Sequence, residues 1–310
     1  MNRDTLKPRV LCFGEVLWDC LPHARLLGGA PLNVAFHAGR LGAETAIISS
    51  VGRDALGDEA LAKVRAYGLS AAWIARHDLW PTGTAQVALN TSGQPDFAIT
   101  EPAAWDEIAI TTATLVEAAR CAAIIFGTLA ARSASNQLSL ERLLAVNGPL
   151  KVLDVNLRAP FDDKGRALSF AGRADVIKLN ADELSRLSGR RCHSRPSVEE
   201  GVAALHSRVG EKTLCVTLGA DGAALYHQGR WFHSDTPHVR VVDTIGAGDA
   251  FTAALVLGLL AQEPPERLLE RACQLGSLVA SLPGAQPDYD PEPLRMCFDQ
   301  SATGGDNGLL

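Results

Sequence analysis

Residues Asp243-Thr244-Ile245-Gly246-Ala247-Gly248-Asp249-Ala250-Phe251 decide how this chain is read, because they run straight into Thr252–Ala261, a small-residue and aliphatic stretch with the character of a buried helix. Gly246 and Gly248 lack a Cβ, so the backbone can turn sharply there and aim consecutive N–H groups, free because they open a helix, at an anion. A carboxylate at position 249 would repel a phosphate held in such a cradle, unless it faces sideways and takes the proton of an attacking hydroxyl. That reading is phosphoryl transfer to an alcohol, with Asp249 as base and Gly246, Ala247 and Gly248 around the group in transit. The same stretch also fits a glycine turn followed by an acid that merely complements the helix dipole.

Outward from this stretch, short runs of β character alternate with helical ones, the pattern of a parallel sheet covered on both faces, so an α/β fold is predicted. Strands are expected at Val10–Phe13, Thr45–Ser49, Ala122–Phe126, Lys151–Asp154, Ala174–Lys178 and Thr213–Thr217, each continuously apolar as a doubly buried strand must be. Helices are expected at Leu32–Leu41, Leu56–Ala66, Ser135–Val146, Val198–Val209, Ile245–Ala261 and Glu266–Leu282. Two segments break the alternation. Trp18–Leu27 and Thr84–Thr100, with a turn at Thr91-Ser92-Gly93-Gln94-Pro95, look like added strands outside any βα unit. One domain is expected over residues 1–298, with insertions near 15–30 and 72–104, followed by a loose tail over 299–310.

At 310 residues, 47% hydrophobic and 21% charged, the chain can bury one large core. A net charge of −6 without any basic run argues against nucleic acid or an anionic membrane as partner, since both are held by counter-charge. No stretch reaches the roughly 18 apolar residues of a membrane span, and Met1–Pro8 lacks the apolar core of a signal peptide, so a cytoplasmic protein is expected. The seven cysteines are scattered, with no Cys-x-x-Cys pair, and read as reduced core thiols. The eight histidines, expected mostly on the surface, show no His-x-x-x-His pair, which argues against zinc. A P-loop and the protein-kinase motifs are missing, and Gly14-Glu15-Val16 after the first strand is no dinucleotide fingerprint.

The Asp243–Asp249 segment resembles the C-terminal Asp-Thr-x-Gly-Ala-Gly-Asp signature of the ribokinase-like (PfkB-type) sugar kinases, and Gly28-Gly29-Ala30-Pro31-Leu32-Asn33-Val34-Ala35 resembles their N-terminal sugar-binding signature. Two independent matches in the right order, over about Val10 to Asp288, make the resemblance specific. It implies a ribokinase-like fold, a mostly parallel sheet with helices on both faces, in which the added strands form a small β lid over the sugar. A surface hairpin is equally compatible with those strands. It also implies ATP and Mg²⁺, a potassium requirement near the loop containing Asp243, and a homodimer paired through the lid strands. Fructokinases are the nearest in appearance.

Ligands of open α/β sheets collect at the carboxyl ends of the strands, where several polar residues lie. Asp19 sits among Leu17, Trp18 and Leu21, an apolar setting in which a carboxylate needs donors, and sugar hydroxyls are donors. By resemblance Asp19, Gly28, Gly29 and Asn33 hold the sugar; Asn33 alone reads equally as a helix-start residue. Asp154-Val155-Asn156-Leu157-Arg158 places three polar side chains on one face if the strand persists, and Arg158 could reach the acceptor or the phosphate, or simply pair with Asp154. The Asp-x-Asn-x-Arg run resembles that of fructokinases and 2-keto-3-deoxysugar-acid kinases. Asn180 and Glu183 match the family's Asn-x-x-Glu element, associated with Mg²⁺ through water, and also form a capping-box pattern. Thr217, Gly219 and Gly222 resemble the nucleotide loop, and Ser281–Ala285 the segment that closes the adenine side. The acceptor implied is fructose at its terminal hydroxyl, with 2-keto-3-deoxygluconate, ribose or a nucleoside in the same class. Outside it stand a non-catalytic sugar or nucleotide sensor and a nicotinamide-dependent oxidoreductase.

Overall fold

Alternate residues of the first strand, β1 (Arg9–Phe13), enter different cores: Val10 and Cys12 pack on one side of the sheet, Leu11 and Phe13 on the other. That two-residue period, apolar at every position, requires helices on both faces. The computed structural model, which describes residues 7–21, 23–89 and 95–295, supplies them. After β1 come β2 (Leu17–Leu21), β3 (Ala24–Gly28), α1 (Ala30–Arg40), β4 (Glu44–Gly52), α2 (Ala55–Ala66), β5 (Ile74–His77), β6 (Gly83–Leu89) and β7 (Pro95–Ile99). The chain continues through α3 (Thr112–Ala118), β8 (Ala123–Phe126), α4 (Ala134–Leu144), β9 (Leu150–Asp154), α5 (Lys164–Arg173), β10 (Val176–Asn180), α6 (Ala181–Ser188) and α7 (Arg195–Val209). It ends with β11 (Thr213–Thr217), β12 (Ala223–His227), β13 (Arg230–Ser234), α8 (Ala247–Leu260) and α9 (Pro265–Ala280).

Nine strands form one sheet in the order β13-β12-β11-β10-β9-β8-β1-β4-β5, with every pairing parallel except those of β12, which runs antiparallel to both β11 and β13. Helices α1, α2, α8 and α9 cover one face and α3 to α7 the other. The chain leaves β1 toward β4 and returns on its other side with β8, so strand order reverses beside β1. In such sheets the crevice at the carboxyl ends beside that reversal takes ligands. A second sheet, β3-β2-β6-β7, is built from the two segments that broke the alternation, and Leu17, Asp19, Ala85 and Ile99 turn one of its faces toward that crevice.

Every expected strand and helix is present within a few residues, because each carries its own apolar period over a long enough run. The unforeseen elements, β5, α3, α5, α6 and the β12–β13 hairpin, are short or amphipathic and owe their conformation to pairing and caps, as when the Asn180 and Glu183 side chains exchange bonds with backbone amides at the start of α6. One histidine departs from the surface expectation: His37 is wholly buried, held between the Ala285 carbonyl (2.9 Å) and the Tyr289 hydroxyl (3.0 Å). The expected turn at 91–94 and the tail over 299–310 lie outside the described residues. Among the described residues no helix is long and apolar enough to cross a membrane.

Candidate active site

Helix α8 begins with Gly246 in the left-handed region (φ 80°), where a Cβ would stand 2.6 Å from the Ala285 Cα. Glycine is therefore required to turn the chain into the helix at this point. The Gly246 carbonyl already accepts the Ala250 N–H at 2.9 Å, while the Gly248 and Asp249 N–H groups find no acceptor among the described residues. These are the free donors of a helix N-terminus, and they open onto two cavities that meet at Thr217, Thr244 and Gly248.

The first cavity, about 540 Å³, is polar and lies between the carboxyl ends of the strands and the small sheet. It gathers Glu15, Asp19, Gly29, Asn33, Asp154, Asn156, Arg158, Asn180, Glu183 and Asp249. Asp249 sits in the first turn of α8 and its Oδ2 accepts a hydrogen bond from Asn33 Nδ2 at 2.7 Å. Burial pushes its carboxyl up to about 6, Asp154 adds to the rise, and the Asn33 bond with Lys178 and Arg158 opposes it. Asp19 is raised to about 6 by burial, with Asp249 adding and Arg158 opposing. Gly28 packs directly on Asp19, where a Cβ would lie 2.5 Å from Oδ2, and a Cβ on Gly29 (φ 113°) would collide with the Glu15 carbonyl. Both glycines are needed for the close approach of the loop to β2.

Glu15 was not singled out by its sequence, yet it is buried in this cavity, accepts the Ala30 N–H at 3.2 Å, and is raised to about 7 chiefly by burial. A carboxyl whose folded value exceeds its unfolded one binds its proton more tightly when folded, so its contribution to stability is present at low pH and lost as pH rises. For Glu15, Asp19 and Asp249 that loss runs from their ordinary values to about 7, while His37, lowered to about 4 by burial, acts in the opposite sense. Glu15→Gln should flatten the fall in Tm between about pH 5 and about pH 7.5. A slope equal to wild type in differential scanning fluorimetry would show that Glu15 takes up no proton there.

The shared strand face and the Asp154–Arg158 salt bridge do not form, although Arg158 does line the cavity. Strand β9 stops at Asp154, Val155 N–H binds the Lys178 carbonyl at 3.0 Å, and Asn156 turns into the left-handed region (φ 40°), so the three side chains do not share a strand face. Asp154 pairs instead with Lys178, both oxygens lying 3.1 Å from Nζ, and accepts Thr252 Oγ1 at 2.7 Å. Burial works against the Lys178 charge, but Asp154, followed by Glu183 and Asp249, outweighs it and the net shift is upward. A Cβ on Gly248 would lie 3.2 Å from Lys178 Nζ, which puts the ammonium directly beneath the start of α8. The Arg158 side chain is left free: exposed, with its guanidinium bonded only to the Leu157 carbonyl (3.3 Å) among the described residues. A lysine within the doubly buried run Val176-Ile177-Lys178-Leu179 was the signal that could have marked this pair beforehand.

Asn180 and Glu183 form the capping box: Asn180 Oδ1 accepts Glu183 N–H and Glu183 Oε2 accepts Asn180 N–H, each at 2.8 Å. Glu183 Oε1 takes the Leu157 N–H at 2.8 Å, which ties the Arg158 loop to α6. The second cavity, about 320 Å³, is lined by Thr217, Gly219, Gly222, Ala247, Gly248 and Phe251, with Val239 and Val241 at its mouth. Those valines, 38% and 59% exposed, are large apolar side chains left open to solvent. The Ser281–Ala285 segment, expected along this cleft, lies outside its lining and packs instead behind α8, where Gly284 N–H binds Asp243 Oδ2 at 3.1 Å. Asp243 Oδ1 accepts Ile245 N–H at 3.0 Å, so this carboxylate shapes the approach to α8 and lines neither cavity.

A family model described as pfkB family carbohydrate kinase matches residues 22–292. Fructokinase-1 of Oryza sativa subsp. japonica is 31% identical over 91% of this chain and 95% of its own. The ribokinase of Arabidopsis thaliana is also 31% identical, over 84% of this chain and 69% of its own. Among solved structures, fructokinase with bound ATP from Xylella fastidiosa superposes with a TM-score of 0.76 at 25% identity, covering 91% of this chain and 94% of its own. The chain belongs to the PfkB family of carbohydrate kinases, ATP-dependent phosphotransferases that act on a sugar hydroxyl.

Proposed function

We propose that this kinase transfers the γ-phosphoryl group of Mg-ATP to the terminal hydroxyl of D-fructose, with Asp249 as general base. One observation carries the reading: the Asp249 carboxylate and the free N–H groups of α8 stand where the polar cavity meets the apolar cleft. A purine fits the cleft between Phe251 and the open valines, and the backbone at Thr217, Gly219 and Gly222 leaves room for the rest of the nucleotide. The sugar lies in the polar cavity against Asp19, Gly28, Gly29 and Asn33, beneath the small sheet acting as lid. Asp249 accepts the hydroxyl proton as that oxygen attacks. Charge developing on the phosphoryl oxygens is met by the free N–H groups of Gly248 and Asp249, the Ala247 N–H being held by the Thr244 carbonyl at 3.3 Å, by Lys178 below them, and by Arg158 from the open side.

The donor set suits a hydrated magnesium ion, because Glu183 and Asn180 line the cavity and Mg²⁺ keeps most of its waters, needing only acceptors at their outer side. When bound, the ion would neutralise phosphate charge; Glu183 holds its waters while also bracing the Arg158 loop. A potassium ion would sit beside Asp243, sharing oxygens that already accept Ile245 and Gly284 N–H. The proposed homodimer would pair through the small sheet, where β3 is an edge strand.

Three carboxylates at the acceptor end against one free arginine favour a neutral polyol. The free Arg158 supports a second reading, a sugar acid such as 2-keto-3-deoxygluconate paired with its guanidinium. ADP release with Mg-ATP across fructose, ribose, 2-keto-3-deoxygluconate and nucleosides separates them. Fructose is expected to give the highest kcat/KM, by about tenfold or more. A preference for the sugar acid transfers the assignment to Arg158, and no turnover with any acceptor would leave a sensor.

A further inference from the structure

We propose that Gln286 and Tyr67 are positioning residues for the Asp249 carboxylate, acting through Asn33 along a hydrogen-bond chain that holds the Asn33 amide with its NH₂ group toward the base. The inference rests on the reading of Asp249 as general base. The Tyr67 hydroxyl donates to Gln286 Oε1 at 3.3 Å, and the Gln286 NH₂ group faces Asn33. Gln286 Nε2 donates to Asn33 Oδ1, and Asn33 Nδ2 donates to Asp249 Oδ2 at 2.7 Å. The sense is set from the Asp249 end: the carboxylate only accepts and so selects the Asn33 NH₂ group, Asn33 Oδ1 then takes a donor from Gln286, and the Tyr67 hydroxyl, able to donate or accept, supplies the donor for Gln286 Oε1.

The two ends of a side-chain amide are nearly equal in shape, so packing alone does not prevent Asn33 from turning over. The turned state would set its oxygen against the Asp249 carboxylate. That contact of two acceptors already disfavours the turned state while Asp249 is ionised, and a donor on the Asn33 oxygen disfavours it further, because turning would then leave NH₂ facing NH₂. Gln286 is that donor, and its own backbone segment is pinned to α1 one turn further on, where buried His37 meets the Ala285 carbonyl and the Tyr289 hydroxyl. Tyr67, the residue that closes α2, contacts the ring of Phe36 and so belongs to the same packed face.

Two consequences follow for the base. The Asn33 bond opposes the upward shift that burial imposes on Asp249, and it occupies Oδ2, leaving Oδ1 for the acceptor hydroxyl. The other ionisable groups facing Asp249 are Cys12 from β1, Glu15 and Asp19 from β1–β2, Asp154 and Arg158 from β9 and its loop, and Lys178 from β10. Among the described residues neither Gln286 nor Tyr67 hydrogen-bonds any of them, so a change at either position that adds no charge reaches the base through Asn33.

The test is the pH profile of kcat/KM for Mg-ATP and D-fructose in full-length Gln286→Glu, Gln286→Leu and Tyr67→Phe, with Tm measured alongside. In Gln286→Glu the ionised carboxylate can only accept, so it competes with Asp249 for the Asn33 NH₂ group, and its negative charge adds to the rise of the base. The acid limb should then move up by about one pH unit, and kcat/KM at neutral pH should fall about tenfold. Gln286→Leu should move the limb in the same direction by less, and Tyr67→Phe by a few tenths of a unit with a roughly twofold loss. A structural role alone would lower Tm or the active fraction and leave the limb in place, and that result overturns the proposal. Loss of folding in Gln286→Glu leaves the other two variants to decide. Failure of the underlying reading looks different: Asp249→Asn would keep its turnover. An inactive Asp249→Asn beside three variants with the wild-type limb removes the relay alone.

Discussion

Replacing Asp249 by asparagine should lower kcat by about 10² to 10⁴ while leaving sugar affinity nearly unchanged. The substituted amide has the shape of the carboxyl group and can still accept the Asn33 hydrogen bond through its oxygen, so the cavity and the start of α8 keep their form. What it cannot do is take a proton from the attacking hydroxyl. The loss should therefore fall on the chemical step, with little change in the fructose Kd by calorimetry. The base works only when ionised, and its carboxyl is raised to about 6, so wild-type kcat/KM should decline as pH falls through about 6 and the variant should lack that limb. Turnover at the wild-type rate would leave the kinase without its proposed base.

Lys178→Met should destabilise the protein by about 3 to 5 kcal/mol in chemical denaturation, because it strands Asp154 as a buried charge whose remaining side-chain partner is the Thr252 hydroxyl at 2.7 Å. The ammonium lies 3.1 Å from both Asp154 oxygens, and neither residue is more than 7% exposed, so solvent does little to replace the lost partner. Adding Asp154→Asn should recover most of that stability, since the uncompensated charge goes with it. Activity should stay low in the double variant, because the positive charge beneath Gly248 is still missing from the proposed transfer site. A double variant that regains both stability and kcat would make the pair purely structural. A single variant within about 1 kcal/mol of wild type would show that the pair is hydrated in solution.

The chemistry was easiest to read where it was local. The two glycines and the acid after them lie within four positions of one another, and their backbone demands can be stated without knowing any other part of the chain. The same holds for the strands, whose unbroken apolar runs call for cover on both faces, and for the Asn180–Glu183 box, closed within four residues. Lys178 and Glu15 escaped notice because each is one charged residue inside an apolar run, and only packing shows that its partner arrives from another strand or loop. The salt bridge read between Asp154 and Arg158 failed because Asn156 leaves the strand conformation, which returns Arg158 to the cavity and gives Asp154 to Lys178.

By itself, then, the order of amino acids determined the α/β class and the glycine turn into a helix with an acid in its first turn, since periodicity and glycine conformations are properties of neighbouring residues. The tertiary structure alone decided what that acid touches: Asn33 comes from 216 positions away and Gln286 reaches Asn33 across 253. Contacts over such separations are set by how helices α1 and α8 pack on one face of the sheet, and no short stretch of chain carries that information.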